Sequence, residues 1–201
     1  IAKEAHIDAI HPGYGFLSES PEFAKECLEN DIVFIGPSPE ILTKLGNKTE
    51  AIKVANQAKV KTIPSVAIEK QSQKDLQDSI KAIGYPVMVK ASWGGGGRGM
   101  RIVNSEKDLL DQIKNAQSES KKAFGKDEVF IEKFLDDVAH IEVQILGDQY
   151  GNIIHLFERD CSLQRRHQKI IERAPAHFLN QSVRNKICEA AINIAKKVKY
   201  V

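Results

Sequence analysis

The sequence predicts a short α/β unit followed by an α+β unit with antiparallel sheets. In the first part, two brief apolar segments at residues 7–10 and 32–35 flank a helical stretch, which is the spacing of a strand–helix–strand unit. Farther along, alternating segments at 141–146 and 153–157 are joined by a glycine-containing loop at 147–152, which is longer than the tightest hairpin turns. Such a pair is typical of an antiparallel hairpin. We therefore expect the architecture to change near Ser65.

Local signals define the elements of the first unit. Residues 11–15 form a loop after the first strand, at the edge where parallel sheets bind ligands. Ser18 or Ser20 can cap the next helix, which has Pro21 in its first turn and runs to about Asn30. After it the sequence predicts a strand at 32–35, helices at 40–45 and 48–58, and the start of a link at 60–64.

The second unit begins with helical spacing over residues 73–83 and an apolar run that ends in Lys90. A glycine-rich loop separates this run from a second apolar segment at 100–103. Strand, loop and strand in this order predict a hairpin that can fold over a ligand. The elements predicted beyond it are a helix over 109–122, a strand at 129–134, the hairpin of 141–157 and a helix over 182–197.

The composition is that of an ordinary globular chain. Its 201 residues carry 29 Lys or Arg against 27 Asp or Glu, and the net charge of +2 gives no reason to expect nucleic acid or a membrane surface as a partner. No apolar run approaches the roughly 20 residues of a membrane helix. Three widely spaced cysteines, without a CxxC or HExxH pattern, predict a reduced, cytoplasmic protein with neither disulfides nor a structural zinc site. Both ends fall inside predicted elements, so we expect a fragment of a longer chain.

Residues 90–100 carry the strongest chemical signal. Five glycines fall within six positions, just after the strand that ends in Lys90. Glycine lets backbone N–H groups approach an anion, and a lysine at the mouth of the loop adds positive charge. The loop lacks the Gly-Lys-Ser/Thr of a Walker A motif, and an apolar segment rather than a helix follows it. A loop that covers phosphates is therefore predicted, with a mobile surface turn as the alternative.

A second signal is the dense run of charged and polar residues at 158–169. It lies between an apolar strand and residues 170–171, which wedges charges between segments expected to be buried. Burial of charges is costly unless they are paired or used. The run can pair internally, or Arg165, Arg166 and Lys169 can meet anionic oxygens of a substrate. A solvated face is the third interpretation.

Other residues give weaker signals. Lys48 on its own fits a surface lysine. Residues 132–135 end a strand beside an acid, which suits either the edge of an adenine ring or a plain strand terminus. His11 and His140 fit structural roles, and Cys161 fits a packed side chain because no base lies beside it in the sequence.

Taken together, these segments resemble the biotin carboxylase unit of the biotin-dependent carboxylases, an ATP-grasp family. The resemblance extends over the whole chain in the same order. The motifs that carry it are residues 9–19, 34–37, 90–100, 132–134, 140–144 and 158–169. Ser92-Trp93 and residues 125–128 and 145–148 resemble the pyruvate carboxylase branch more than the stand-alone subunit of acetyl-CoA carboxylase.

The resemblance implies both a fold and a reaction. It implies the end of an amino-terminal α/β domain with connecting helices at 1–61, and a mobile ATP-grasp lid at 62–134. Residues 135–201 then form the first part of the carboxyl-terminal ATP-grasp subdomain. The family carboxylates N1′ of biotin with bicarbonate and MgATP, through a carboxyphosphate intermediate. Its ligands for Mg²⁺ or Mn²⁺ lie beyond this chain, as do an arginine and a glutamate that act on bicarbonate and biotin, so the isolated chain is expected to be inactive.

The same motifs imply the site residues. By resemblance, Lys48 and Lys90 contact the ATP phosphates, and Gly96 and Gly97 cover them. Lys169 faces the bicarbonate or phosphate end and is the implied catalytic residue. The other implied ATP-binding residues are Glu132, Lys133, Phe134 and Leu135 near the adenine, and His140, Gln164 and His167 along the nucleotide. The implied partners are a biotinyl carrier domain and a carboxyltransferase domain, in a parent protein that forms a homo-oligomer.

Four alternatives stay open at this point. The unit can equally come from an acetyl-CoA or other acyl-CoA carboxylase, because a domain outside this sequence chooses the carboxyl acceptor. Another ATP-grasp ligase, such as a carbamoyl-phosphate synthetase, is disfavoured by the run at 158–169. A non-catalytic, nucleotide-binding fragment follows from the expected truncation. A nucleic-acid-binding module is the weakest, because Phe157 is the one aromatic residue near the basic cluster.

Overall fold

The computed structural model describes residues 1–68, 71–95 and 97–201. The helices are α1 (Pro21–Glu29), α2 (Pro39–Gly46), α3 (Lys48–Gln57), α4 (Gln73–Ile83), α5 (Glu106–Phe124) and α6 (Gln181–Lys197), with a short 3-10 helix at Phe16–Glu19. The strands are β1 (Ala9–Ile10), β2 (Val33–Phe34), β3 (Ser65–Ala67), β4 (Val87–Ala91), β5 (Arg101–Val103), β6 (Val129–Lys133), β7 (Ile141–Gly147), β8 (Ile153–Arg165) and β9 (Gln168–Arg173). Among these helices, none has the length and apolar character needed to cross a bilayer.

The first unit is a pair of short strands with a helix between them. β1 and β2 pair in parallel, as the spacing predicts, although each is shorter than the apolar segment that contains it. α1 begins at Pro21 because the Ser20 hydroxyl accepts a hydrogen bond from the Phe23 amide at 3.1 Å. Of the two predicted caps, Ser20 is therefore the one used. The core of this unit consists of Ala24, Cys27, Ile32 and Phe34.

The second unit is a four-stranded antiparallel sheet in the order β3-β6-β4-β5. β4 and β5 flank the glycine loop, so the predicted hairpin is confirmed, whereas β3 was not predicted. Along β4 the apolar side chains of Val87, Val89 and Ala91 are buried in the core, which places Lys90 on the opposite face. The core beneath α4 and α5 consists of Leu76, Ile80, Val87, Val89, Val103, Leu109, Ile113, Ala116, Val129 and Ile131.

The third sheet is antiparallel in the order β7-β8-β9, and α6 packs on β7 and β8. Here the sequence interpretation is wrong in one respect. The charged run does not separate two buried strands, because it continues β8 to Arg165, turns at 166–167 and begins β9. Ile170 and Ile171 are 57% and 55% exposed. The charged side chains therefore lie on neighbouring strands of one sheet, where they can pair across it.

Candidate active site

The glycine loop leaves the end of β4 and reaches the β8–β9 turn. Gly97 has a φ of +75°, and a Cβ atom added to it would overlap the imidazole ring of His167. Only glycine permits both that backbone conformation and that close approach. The loop therefore brings the second and third sheets together at one place. Gly96, which the sequence also assigns to this site, lies outside the described residues.

Lys48 is the first residue of α3 and lies beside the start of the glycine loop. Its backbone amide donates to the Ser92 carbonyl oxygen at 2.9 Å, and its ammonium donates to the Gly94 carbonyl oxygen. Burial lowers the pKa of Lys48, and the positive charge of Lys90 lowers it further, against an opposing effect of Glu19. Two lysines that repel each other beside exposed loop amides form a region suited to a polyanion.

Lys90 and Glu132 form an ion pair across the four-stranded second sheet. Lys90 on β4 and Glu132 on β6 are diagonal neighbours on one face, and the ammonium bonds to the carboxylate Oε1. Glu132 is buried, so the pairing compensates a charge removed from water. The sequence did not predict this pair, because it assigned the two residues to opposite ends of a nucleotide.

The strand end after Glu132 is tied to the chain around it. The Lys133 ammonium donates to the carbonyl oxygens of Gly84 and Tyr85, each at 3.1 Å. The backbone amides of Lys133 and Phe134 donate to the Pro64 and Pro86 carbonyl oxygens, respectively. Leu135, the next residue, is 47% exposed. This end of the site is therefore held by backbone contacts. The Lys133 ammonium is bound at residues 84–85, which precede β4, whereas the glycine loop follows β4.

His140 and Gln164 form a hydrogen-bonded pair on the third sheet. Gln164 Nε2 lies 2.7 Å from His140 Nδ1 and donates to the Cys161 carbonyl oxygen at 2.9 Å. With the amide as donor, Nδ1 accepts and the imidazole proton lies on Nε2. His140 Nε2 in turn is 4.0 Å from Glu142 Oε2. The structure thus brings together His140 and Gln164, two of the residues assigned from sequence, and fixes their orientation.

Glu142 is the centre of the charged cluster, and no role was assigned to it from the sequence. Its carboxylate accepts hydrogen bonds from both Lys169 and Arg159. Burial raises the pKa of Glu142, but bonds and attraction from Lys169 and Arg159 outweigh it, so the net pKa is below the ordinary value. The same bond to Glu142 raises the pKa of Lys169. The Lys169 ammonium is therefore held in place as a cation.

A divalent cation does not fit this cluster. Potential ligand atoms of Glu142, Cys161 and Glu172 lie within 4.8 Å of one another. However, Lys169 and Arg159 already neutralise the two carboxylates, with Arg159 Nε 3.1 Å from Glu172 Oε2. Burial raises the pKa of the Cys161 thiol, and a protonated thiol is a poor ligand for the hard cations Mg²⁺ and Mn²⁺. Nowhere else in the described ranges do three such side chains converge.

Two sequence families match the chain. Residues 47–201 match the family described as carbamoyl-phosphate synthase L chain, ATP binding domain, and residues 1–42 match the biotin carboxylase N-terminal domain. The chain belongs to this ATP-binding family. Its resemblance to the biotin carboxylase units is confirmed, and the ATP-grasp fold class with it. The carbamoyl-phosphate synthetase alternative shares the larger family, but the amino-terminal match is to biotin carboxylase.

Carboxylases are among the most similar proteins. Pyruvate carboxylase of Bacillus subtilis is 51% identical over 201 residues, which are 100% of this chain and 18% of that protein. The alpha subunit of mouse mitochondrial methylcrotonoyl-CoA carboxylase is 50% identical over the whole chain and 28% of its own length. The chain thus spans less than a third of either relative. A similar solved structure, with TM-score 0.92 and 44% identity, is the biotin carboxylase domain dimer of Hydrogenobacter thermophilus 2-oxoglutarate carboxylase in complex with MgADP, ADP and bicarbonate, covering 99% of this chain and 44% of that one.

Proposed function

We propose that this chain forms the ATP-binding part of a biotin carboxylase, which carboxylates biotin with bicarbonate and ATP. The observation that carries the proposal is the contact between Gly97 and His167. This contact brings the lysines at the glycine loop close to the third sheet, beside which His140, Gln164 and Lys169 lie. One anionic ligand can therefore touch both groups of residues. The MgADP and bicarbonate bound by the Hydrogenobacter relative support this choice of ligands.

In this proposal each part of the site has a separate task. Lys48, Lys90 and the loop amides neutralise and position the ATP phosphates, which is most of what phosphoryl transfer requires. His140, Gln164 and His167 border the nucleotide from the third sheet. Lys169, held by Glu142, presents a fixed positive charge to bicarbonate and to the carboxyphosphate formed from it. Closure of the loop on His167 excludes water, which would hydrolyse that intermediate.

The proposed division of the chain is the one expected from the sequence, at 1–61, 62–134 and 135–201. Glu132, Lys133, Phe134 and Leu135 are proposed to border the adenine, with Gly96 and Gly97 over the phosphates. As the family resemblance implies, the residues that bind Mg²⁺ or Mn²⁺ are proposed to lie outside the chain, and the Glu142 cluster does not fit a hard cation. The parent is proposed to be a cytoplasmic homo-oligomer that presents biotin on a carrier domain.

For the final acceptor we propose pyruvate. The motif at Ser92-Trp93 and residues 145–148 resembles the pyruvate carboxylase branch. Identity of 50% to the methylcrotonoyl-CoA carboxylase subunit makes an acyl-CoA thioester the second candidate. Radioactive bicarbonate, supplied with ATP and either pyruvate or methylcrotonoyl-CoA, decides between them, because only the true acceptor becomes labelled.

The first test of the function is ADP release from MgATP by the full-length parent protein, with bicarbonate, in the presence and absence of free biotin. We expect biotin to stimulate release. Release that is indifferent to biotin would favour another ATP-grasp ligase. ATP binding without any release would favour a non-catalytic nucleotide-binding protein. The 201-residue chain assayed alone is expected to bind ATP without biotin-stimulated turnover.

Gly97→Ala is expected to raise the KM for ATP by about tenfold, the factor that corresponds to the 1–2 kcal/mol cost of a positive φ in a non-glycine residue. The new methyl group also meets the His167 ring and opposes closure. The matched control is Gly95→Ala, where the added Cβ meets open space and φ is not positive. Equal effects of the two substitutions on KM, measured as ADP release against ATP concentration, would contradict the proposed closure.

A further inference from the structure

Glu128 occupies the junction between α3, the glycine loop and β6. Its carboxylate accepts hydrogen bonds from Asn47 Nδ2 at 3.1 Å, from the Thr49 hydroxyl at 2.9 Å and from the Trp93 indole N–H at 2.7 Å. The three donors come from two parts of the chain that are far apart in sequence. None of the motifs that indicate the function gives this side chain a role.

Both neighbours of Lys48 in the chain are bound to this one carboxylate. Asn47 caps α3 with its side-chain oxygen, which accepts from the Glu50 amide at 3.1 Å, and uses its side-chain nitrogen on Glu128. Thr49 supplies the second bond. Between them, the Lys48 amide donates to the Ser92 carbonyl oxygen. The backbone of Lys48 is therefore fixed on both sides and at its own N–H.

The same carboxylate also fixes the root of the glycine loop. Trp93, which follows Ser92, donates its indole N–H to Glu128, and Lys126 lies over the indole ring at 3.4 Å from its centroid. The Ser92 amide donates to the Glu128 carbonyl oxygen at 3.0 Å. Gly94, which follows Trp93, is the residue whose carbonyl oxygen accepts a hydrogen bond from the Lys48 ammonium. The Glu128 side chain therefore links the segment that carries this ammonium to the segment that carries its acceptor.

We infer that Glu128 is a positioning residue that holds Lys48 and the glycine loop in register for the phosphates of ATP. The inference rests on the proposed function, because it assumes that Lys48 contacts those phosphates. Burial raises the pKa of Glu128, but its hydrogen bonds from Asn47, Trp93 and Thr49 outweigh it and leave the net pKa below the ordinary value. The group is therefore an anion at neutral pH and accepts from all of its donors at once.

The decisive experiment compares Glu128→Gln, Lys48→Met and the double variant in the full-length parent carboxylase. Glutamine keeps the shape but turns one oxygen into a donor that faces other donors. We expect Glu128→Gln to raise the KM for ATP about tenfold, the effect of losing one hydrogen bond to a charged group, with kcat and the KM for bicarbonate within about twofold. In the Lys48→Met background it is expected to add nothing further, because its effect acts through that lysine.

The matched control is Glu119→Gln, which removes another carboxylate of the second unit, one whose partner is Arg101 at 3.1 Å rather than residues 47–49. It is expected to leave the KM for ATP unchanged. Thr49→Val, which removes one donor and little volume, is the second variant and keeps the test available if Glu128→Gln does not fold. It is expected to change the KM in the same direction by about threefold, since a neutral donor contributes less.

The outcomes separate this inference from the proposed function. Additive effects of Glu128→Gln and Lys48→Met, or an equal rise in the KM for bicarbonate, would overturn the positioning role. A normal KM in Lys48→Met would overturn the assignment of Lys48 itself. Equilibrium ATP binding gives the same comparison if biotin does not stimulate ADP release, so the failure of biotin carboxylation does not remove the test of Glu128.

Discussion

Arg184→Met is expected to lower the free energy of unfolding by about 3–5 kcal/mol, because it leaves a buried carboxylate without its partner. Glu158 on β8 is 1% exposed, and its Oε1 atom accepts from Arg184 Nε at 2.8 Å and from the Ala176 amide at 3.1 Å. The Arg184 guanidinium also donates to the Ala176 carbonyl oxygen at 3.2 Å. This pair fastens α6 and the preceding segment to the third sheet. Urea unfolding of the full-length parent and of the variant measures the loss.

The pH dependence separates the loss of a charge pair from a simple loss of packing. Burial raises the pKa of Glu158, but Arg184 and the surrounding amides outweigh it, so the net pKa is below the ordinary value. This stabilisation is therefore present above about pH 4.3, the ordinary pKa of glutamate, and is lost as the pH falls through the folded-state pKa. Without Arg184, only the backbone amides oppose the effect of burial, which is the largest single influence, so we expect the pKa of Glu158 to rise above its ordinary value and the sign of the pH dependence to reverse.

As the pH falls from 7.5 to 5, the variant is therefore expected to recover part of its stability. Over the same range the contribution of Glu158 to the stability of the wild type does not change. Lys25→Met is the control, because it removes one partner of an exposed pair with Glu29 within α1. It is expected to change the free energy of unfolding by less than about 0.5 kcal/mol. A variant that loses stability without the pH reversal would show that packing, and not the charge of Glu158, dominates.

The parts of the fold that could be predicted from the sequence are those with local signals. Ser20 before Pro21 defines the start of α1, and alternation of apolar residues defines β4. The glycine loop between β4 and β5 is likewise visible without any tertiary information. Each of these signals acts within a few residues of the structure that it specifies.

The β8–β9 hairpin could not be predicted, because its turn lacks the usual residues. Arg166 and His167 both have positive φ, at 50° and 65°, a conformation that two-residue hairpins normally assign to Asn-Gly. The charged residues of the strand before the turn also obscure the alternating pattern from which a strand is predicted. Glu158 is buried and Arg159 half-buried, yet their partners Arg184 and Glu142 lie on other elements. A prediction made from consecutive residues therefore finds only a polar run.

The residues of the candidate site likewise differ in whether the sequence around them carries a local signal. Lys90 and the glycines carry a chemical signal of their own, whereas His140, Gln164 and Lys169 were assigned by family resemblance. Glu128 and Glu142 were missed as functional residues because their partners are distant in sequence, and no local pattern marks a carboxylate that accepts from several remote donors. Only the folded chain places Asn47 beside Glu128.

Lys169→Met is expected to reduce biotin-stimulated ADP release by at least about 100-fold, the usual effect of removing one preorganised charge from a developing anion. The KM for ATP is expected to change far less, because Lys48 and Lys90 are the residues proposed to hold the phosphates. The measurement is ADP release by the full-length parent at saturating bicarbonate. Lys197→Met, at the exposed end of α6, is the control and is expected to retain full activity.

Lys169→Arg then tests whether this lysine acts as a cation or as a base. The bond to Glu142 raises the pKa of Lys169, against an opposing effect of burial, so its ammonium stays charged throughout the range from pH 6 to pH 9. Arginine, with a pKa above 12, keeps that charge and cannot act as a base. We therefore expect partial activity with the alkaline limb of the pH–rate profile in its wild-type position. Loss of that limb in Lys169→Arg would assign the limb to deprotonation of Lys169 and contradict its role as a fixed positive charge.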